Sequence, residues 1–322
     1  MPLFLFINLI MIKIKYLLVI LLLWIGISAS AQDSLTVEYA VKDTSHLKMD
    51  VFYPKVQNEQ HSCMIFVHGG GFINGSRKSE SIPQFVKMFN DKGYVVISID
   101  YRLGLKGQSN YSVISGIKKF ETAIDMAAED LLSAVDYTLK DLVHNDRHPI
   151  NPDKILLCGS SAGAITVLQA DYYLNNGADC AKMLPKDFHF AGVISFSGGI
   201  YSKQWKVKYR KHAPAPTLLC HGTADQLVPY NQIQLLNVGM FGSNALAKRF
   251  EKYDYPYCIR RYKEVGHQVA MRYITDSDLI FWFIDNYVTK NQHLKVDELF
   301  YTPDIPHPEF SNYKIRDLKS MK

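Results

Sequence analysis

The chain has 322 residues, 48% hydrophobic and 21% charged, with a formal net charge of +5. This composition marks a globular chain rather than a disordered one, long enough for one large α/β domain or two modest ones. The charge is small for the length, and no dense Lys/Arg run carries the aromatic spacing of a nucleic-acid groove, which argues against a nucleic-acid partner.

The N-terminus stands apart from the rest. Lys13 and Lys15 precede the apolar run YLLVILLLWIGI, and SASAQ then sets Ala29 and Ala31 as an A-x-A cleavage site. Residues 1–31 therefore read as a secretory signal peptide cut after Ala31. The run is short of the roughly 20 residues a membrane helix needs. The extra stretch MPLFLFINLI leaves two alternatives open: initiation at Met11, or retention of the segment as an anchor. On the first reading the protein is exported, periplasmic or extracellular, and meets the membrane only through this segment.

Residues 32–322 show no internal repeat and no low-complexity linker, so they are expected to form a single domain. SLTVEYAV and HLKMDVFYP predict an opening antiparallel hairpin. CMIFVHGGGF predicts a buried strand running into a glycine-rich loop, and SIPQFVKMFNDKG a helix ending at Gly93. YVVISIDYRL is the next strand. Apolar positions Ile117, Phe120, Ile124, Ala128, Leu131, Val135 and Leu142 keep a helical period. KILLCG predicts a strand, followed by a helix from about Ser161 to Leu174. FAGVISFSG, PTLLCHG and YCIRRYKEV are further strands, and DLIFWFIDNYV a last helix. Strands alternating with helices at this spacing predict an α/β fold, a mostly parallel twisted sheet with helices on both faces. The basic, aromatic segment IYSKQWKVKYRKHA reads as a solvated loop, with a small lid as the alternative. From about residue 300 the Pro-rich chain reads as a surface tail.

The five cysteines are Cys63, Cys158, Cys180, Cys220 and Cys258. Cys63, Cys158 and Cys220 sit in apolar runs and read as buried small hydrophobes. A bridge from Cys180 stays open and unassigned. No CxxC pair or clustered His/Cys spacing suggests a metal, and no Walker or dinucleotide glycine pattern suggests a cofactor.

The chemistry concentrates in four places. Gly159-Ser160-Ser161-Ala162-Gly163 fits G-x-S-x-G at a strand-to-helix turn, where the backbone is tight and the Ser161 hydroxyl is lifted clear of the sheet. The Ala162 amide then lies at a helix N-terminus, without an intrahelical acceptor. A serine needs a base, and the base an orienting acid. Asp225, in CHGTADQLVP, and His267, in VGHQ, each follow a strand and complete the order Ser161, Asp225, His267. Glu264 and Asp254 are weaker candidates for the acid. His68-Gly69-Gly70-Gly71-Phe72 follows a buried strand and can offer backbone amides to an oxyanion, each such donor lowering the barrier by roughly 2.7–4 kcal/mol.

With these residues in place, the chain resembles the α/β-hydrolases, and is similar to hormone-sensitive-lipase-like esterases and bacterial carboxylesterases. HGGGF, DYRL, AAEDLLSAVDYTL, GSSAG, HGTADQLVPY and VGH occur in the family's order, over roughly Leu47 to Val288. The resemblance implies a Ser161 nucleophile, an Asp225 acid and a His267 base. It also implies oxyanion donors at Gly70, Gly71 and Ala162, and structural roles for His68, Asp100 and Arg102. Three features depart from the hormone-sensitive-lipase pattern. The mature chain opens with strands where a helical cap is usual. Gly104-Leu105 replaces Ala-Pro after DYRL, and HGTADQLVP looks more like the feruloyl-esterase and dienelactone-hydrolase side. The expected reaction is hydrolysis of a carboxylic ester through an acyl-enzyme, on a small-molecule or carbohydrate-linked substrate such as acetyl or feruloyl esters of polysaccharide. A prolyl-oligopeptidase-like peptidase and a catalytically silent hydrolase-fold binding protein are the alternatives.

Overall fold

The structure, a computed structural model, describes residues 33–108, 113–235 and 237–302. The expected signal peptide and the tail from residue 303 onward lie outside the described residues.

The chain opens with strands β1 (Ser34–Lys42) and β2 (Ser45–Phe52), the antiparallel hairpin expected. Next come β3 (His61–Val67), α1 (Ile82–Asn90), β4 (Val95–Ile99) and the long helix α2 (Val113–Tyr137). At Thr138–Leu142 that helix widens to a π turn, with Val143 N–H donating to the Thr138 carbonyl at 3.0 Å. Strand β5 (Ile150–Ser160) leads directly into α3 (Ala162–Asn176). Then follow β6 (Gly192–Phe196), β7 (Gly199–Ser202), β8 (Thr217–Gly222), β9 (Gln232–Leu235), β10 (Val238–Gly242) and α4 (Ser243–Tyr253). The described chain closes with β11 (Tyr257–Tyr262), α5 (Ser277–Phe283) and β12 (Lys295–Phe300).

Among the described residues, nine strands form one sheet in the order β1-β2-β4-β3-β5-β6-β8-β11-β12. The pairs β1/β2 and β2/β4 are antiparallel, and every pair from β4 to β12 is parallel. Alternation along each strand sorts its two faces. Cys63, Ile65 and Val67 of β3 join one apolar cluster with residues of α2, α3 and α4, while Met64 and Phe66 join the other with residues of α1 and α5. Because helices cover both faces, β4, β6 and β8 are buried at every position and read as mostly apolar runs rather than alternating ones. This is the mostly parallel, two-sided α/β arrangement expected. The strand order reverses between β3 and β5, and a switch point of this kind opens a crevice at the carboxyl ends of the strands.

Several elements were not anticipated. β7, β10 and β9 form a separate three-stranded antiparallel sheet. The segment from Ile200 is therefore not simply a solvated loop or lid: Ile200–Ser202 is β-strand, and Val207 is buried. α4 buries Leu246, Ala247 and Phe250. β12 is an edge strand, KVDELF, whose charged residues keep its outer side unattractive to another chain. The five cysteines carry free thiols, Cys63, Cys158, Cys220 and Cys258 buried and Cys180 half-buried.

The buried flank of α3 carries a carboxyl group. Asp171 accepts from Asn175 Nδ2 at 2.9 Å and from the Ala215 amide at 3.4 Å. Burial outweighs these bonds and pushes its pKa up to about 7.

Candidate active site

The switch-point crevice is flanked by the glycine loop after β3 and the turn between β5 and α3. In that turn Ser161 has φ 52° and ψ −117°, a strained conformation for a residue with a side chain, costing on the order of 1–3 kcal/mol. Packing enforces it. A methyl group at Gly159 would strike the backbone of Gly163, and one at Gly163 would strike the carbonyls of Val67 and His68. The two glycines thus let the first turn of α3 close onto β5 and against β3. The turn is also tied sideways, with Ser161 N–H donating to the Phe196 carbonyl at the end of β6 at 2.9 Å. Its neighbour Ser160 is buried and donates to the Ala270 carbonyl at 2.7 Å. Of the two serines, Ser161 is therefore the one that faces the histidine.

His267 Nε2 lies 2.8 Å from Ser161 Oγ, and His267 Nδ1 lies 2.7 Å from Asp225 Oδ2. Since Nδ1 faces a carboxylate, the ring proton belongs there. Nε2 is then free to accept the Ser161 hydroxyl proton. Asp225 is buried, and its Oδ1 accepts the amides of Leu227 (2.9 Å) and Val228 (3.1 Å). The loops that carry Asp225 and His267 are joined: Thr223 N–H donates to the Tyr262 carbonyl at 2.9 Å, and Ala224 N–H to the Val265 carbonyl at 3.0 Å.

His221, a residue the motifs did not single out, also reaches Asp225. Its Nε2 lies 3.2 Å from Asp225 Oδ2 and 3.2 Å from the Val228 carbonyl. Both neighbours are acceptors, so Nε2 carries a proton. Nδ1 lies 2.8 Å from Ser243 Oγ, which can donate to it. His221 is wholly buried at the end of β8; its position in CHG, directly before the acid loop, was the available signal. Burial alone would raise the Asp225 carboxyl. The bonds from His221 and His267 outweigh burial and hold it well below the usual carboxylate range.

The weaker acid candidates lie elsewhere. Asp254 caps α4 and pairs with Lys295 at 3.0 Å, and exposed Glu264 lies 3.5 Å from Lys263.

The glycine loop passes close to the serine: a Cβ built on Gly69 would sit 3.1 Å from the Ser160 carbonyl oxygen and 3.3 Å from Ser161 Cβ. Gly70 and Gly71 follow with φ 113° and 63°. The loop turns on the Gly70 carbonyl, which accepts from Ile73 N–H at 3.0 Å and Asn74 N–H at 3.1 Å. Phe72 plugs it into the core, edge-on to Tyr101 and Phe120. His68 stacks on Tyr101 with ring centroids 4.5 Å apart, and Tyr101 Oη donates to the His68 carbonyl at 2.9 Å. Burial lowers the His68 pKa, which favours a neutral ring. Asp100 accepts from the Arg77 amide at 2.9 Å and pairs with its guanidinium, and Arg102 Nε binds Asp130 Oδ1 at 2.9 Å. These three residues hold backbone in place around the crevice. Ala162 is the first residue of α3, where the amide has no acceptor within the helix.

Fold and site define an α/β-hydrolase fold that brings a serine, a histidine and an aspartate together at its switch point. A profile of the BD-FAE family matches residues 49–206, a span from β2 through the elbow to the segment after β7. Among solved structures, Thermogutta terrifontis esterase 2 phosphorylated by paraoxon aligns with a TM-score of 0.55 at 20% identity, covering 78% of this chain and 93% of that one. Its apo form gives 0.56 at 19% identity, covering 82% and 97%. Likeness at that identity establishes the fold. Among curated proteins, gut esterase 1 of Caenorhabditis briggsae is 29% identical over 123 residues, 38% of this chain and 20% of that protein. The non-reducing polyketide synthase ausA of Penicillium brasilianum is 40% identical over 78 residues, 23% of this chain and 3% of the synthase. The chain thus spans only a small part of these curated relatives.

Proposed function

We propose that the protein is an exported carboxylesterase in which Ser161 is the nucleophile, His267 the general base and Asp225 the orienting acid. The observation that carries this reading is the pair of contacts through one imidazole, 2.8 Å to Ser161 Oγ and 2.7 Å to Asp225 Oδ2. His267 takes the Ser161 proton as Oγ attacks the ester carbonyl. The amides of Gly70, Gly71 and Ala162 hold the developing oxyanion. His267 then protonates the departing alcohol, and a water activated by the same ring hydrolyses the acyl-Ser161 bond. Asp225 keeps the Nδ1–H tautomer and stabilises the imidazolium. His221 donates to the same Asp225 oxygen as His267, Oδ2, and so helps hold the carboxylate in place; it is a positioning residue.

The substrate class on this reading is an acetyl or feruloyl ester of polysaccharide. The BD-FAE match supports it, as do the export signal read at residues 1–31 and the HGTADQLVP context of the acid. The structural neighbour recorded as phosphorylated by paraoxon supplies the test. Paraoxon should add one diethylphosphoryl group to this chain, and peptide mass spectrometry should place it on Ser161. Label on Ser160, or no label, would contradict the assignment.

A further inference from the structure

The segment after β7 that the motifs left unexplained is built as a surface. Val207 is buried, and Tyr209 packs edge-on to Tyr172 and lies against Phe250. Lys206 and Lys208, which alternate with them, are exposed. Together with Arg249, Lys252 and Tyr253 of α4 they line a cleft of about 510 Å³, within the size range of small-ligand sites.

Of the cations lining this cleft, one is neutralised from within the protein and four, among the described residues, are not. Among the described residues, Lys203 pairs with Glu121, whereas Lys206, Lys208, Arg249 and Lys252 have no carboxylate at ion-pair distance. Arg249 is held in place by its guanidinium 4.2 Å from the Tyr253 ring centre. Trp205 is 60% exposed, with no ring contact among the described residues, and its carbonyl is pinned by Gln234 Nε2 at 2.9 Å. Gln204 and Asn237 add side-chain amides to the lining.

The cleft lies far from Ser161. Arg210 N–H donates to Asn176 Oδ1 at 3.1 Å and Lys211 N–H to the Asn175 carbonyl at 3.2 Å, at the end of α3 opposite the elbow. Fifteen residues of helix separate the two ends by about 22 Å. The other wall ends α4, just before β11 enters the sheet at Tyr257 opposite Thr217, the first residue of β8. The active-site loops leave the other end of those strands.

We propose that this cleft is a second binding site, for an acidic polysaccharide, which holds the enzyme on its polymer at a distance from the reacting ester. Unpaired cations answer the carboxylates or sulfates of such a chain, and the free indole face answers the apolar face of a sugar ring. The amides both donate and accept, which suits hydroxyl groups better than a phosphodiester backbone, which only accepts.

Affinity electrophoresis in gels containing polygalacturonate, neutral xylan or single-stranded DNA tests this. The wild type and Ser161→Ala should be retarded equally by polygalacturonate, and less by xylan or DNA. Lys208→Glu/Arg249→Glu should weaken retention at least about tenfold while p-nitrophenyl acetate turnover stays within about twofold, since long-range effects on a small neutral ester are screened. Trp205→Ala, which alters no charge, should weaken retention too. An unretarded wild type, unchanged retention in both variants, equal retention by xylan, or tighter retention by DNA would each overturn the proposal.

Discussion

The two ends of α3 are governed by different physics. At its N-terminal end the chain is crowded: a strained serine, glycines that admit no methyl group, and a chain of polar contacts from Ser161 through His267 and Asp225 to His221. At its C-terminal end, where Lys211 and Arg210 bond to Asn175 and Asn176, the nearby Lys206 and Lys208 are exposed and, among the described residues, have no carboxylate at ion-pair distance. A crowded, paired site suits bond making, where geometry must hold within fractions of an ångström. An open, unpaired one suits holding a flexible polymer. The contrast also predicts where substitution is costly.

The largest effect should come from Asp225→Asn, which keeps the shape but loses the charge and permits the wrong histidine tautomer. Its kcat for a p-nitrophenyl ester should fall by about 10³–10⁴ with a folded protein; full activity would move the acid elsewhere. Gly163→Ala puts a methyl group against the Val67 and His68 carbonyls, so thermal unfolding should show a loss of at least about 3 kcal/mol.

Asp171, further along the same helix, is expected to do the opposite. Its native pKa is raised to about 7, above the unfolded value of about 3.9. The native state therefore keeps a proton that the unfolded chain loses, and stability falls as pH rises from about 4 to 7. Asp171→Asn should remove that loss, raising the melting temperature at pH 8 more than at pH 4. An equal change at both would refute the assignment.

His221→Gln should lower kcat by about tenfold with KM little changed, as expected when an orienting contact is lost but the acid remains. A change in KM alone would place His221 in substrate binding. The smallest effect belongs to the far end of α3: Lys206→Gln should leave both stability and small-ester turnover within error, as surface substitutions generally do.

Much of this was legible in the sequence because the informative residues are local. GSSAG needs only its own backbone and the strand beneath it, and the central strands announce themselves as apolar runs because helices cover both faces. The β7-β10-β9 sheet was not legible. β9 is QIQL and largely exposed, β10 carries two glycines in five residues, and their pairing is decided by tertiary contact. β12 was hidden for a related reason: KVDELF lacks a clean alternation, with Glu298 half-buried and Leu299 exposed, and its place is set by pairing with β11. His221 escaped notice because an isolated histidine carries no pattern until the fold sets it against Asp225.

The central claim is that Ser161 is activated through His267. It is tested most directly by hydrolysis of p-nitrophenyl acetate, butyrate and octanoate by the wild type and Ser161→Ala, with both proteins melting at similar temperatures. The account predicts turnover by the wild type and none above background by the variant. Turnover that survives in Ser161→Ala, or a wild type that neither turns over nor reacts with a fluorophosphonate, would contradict it.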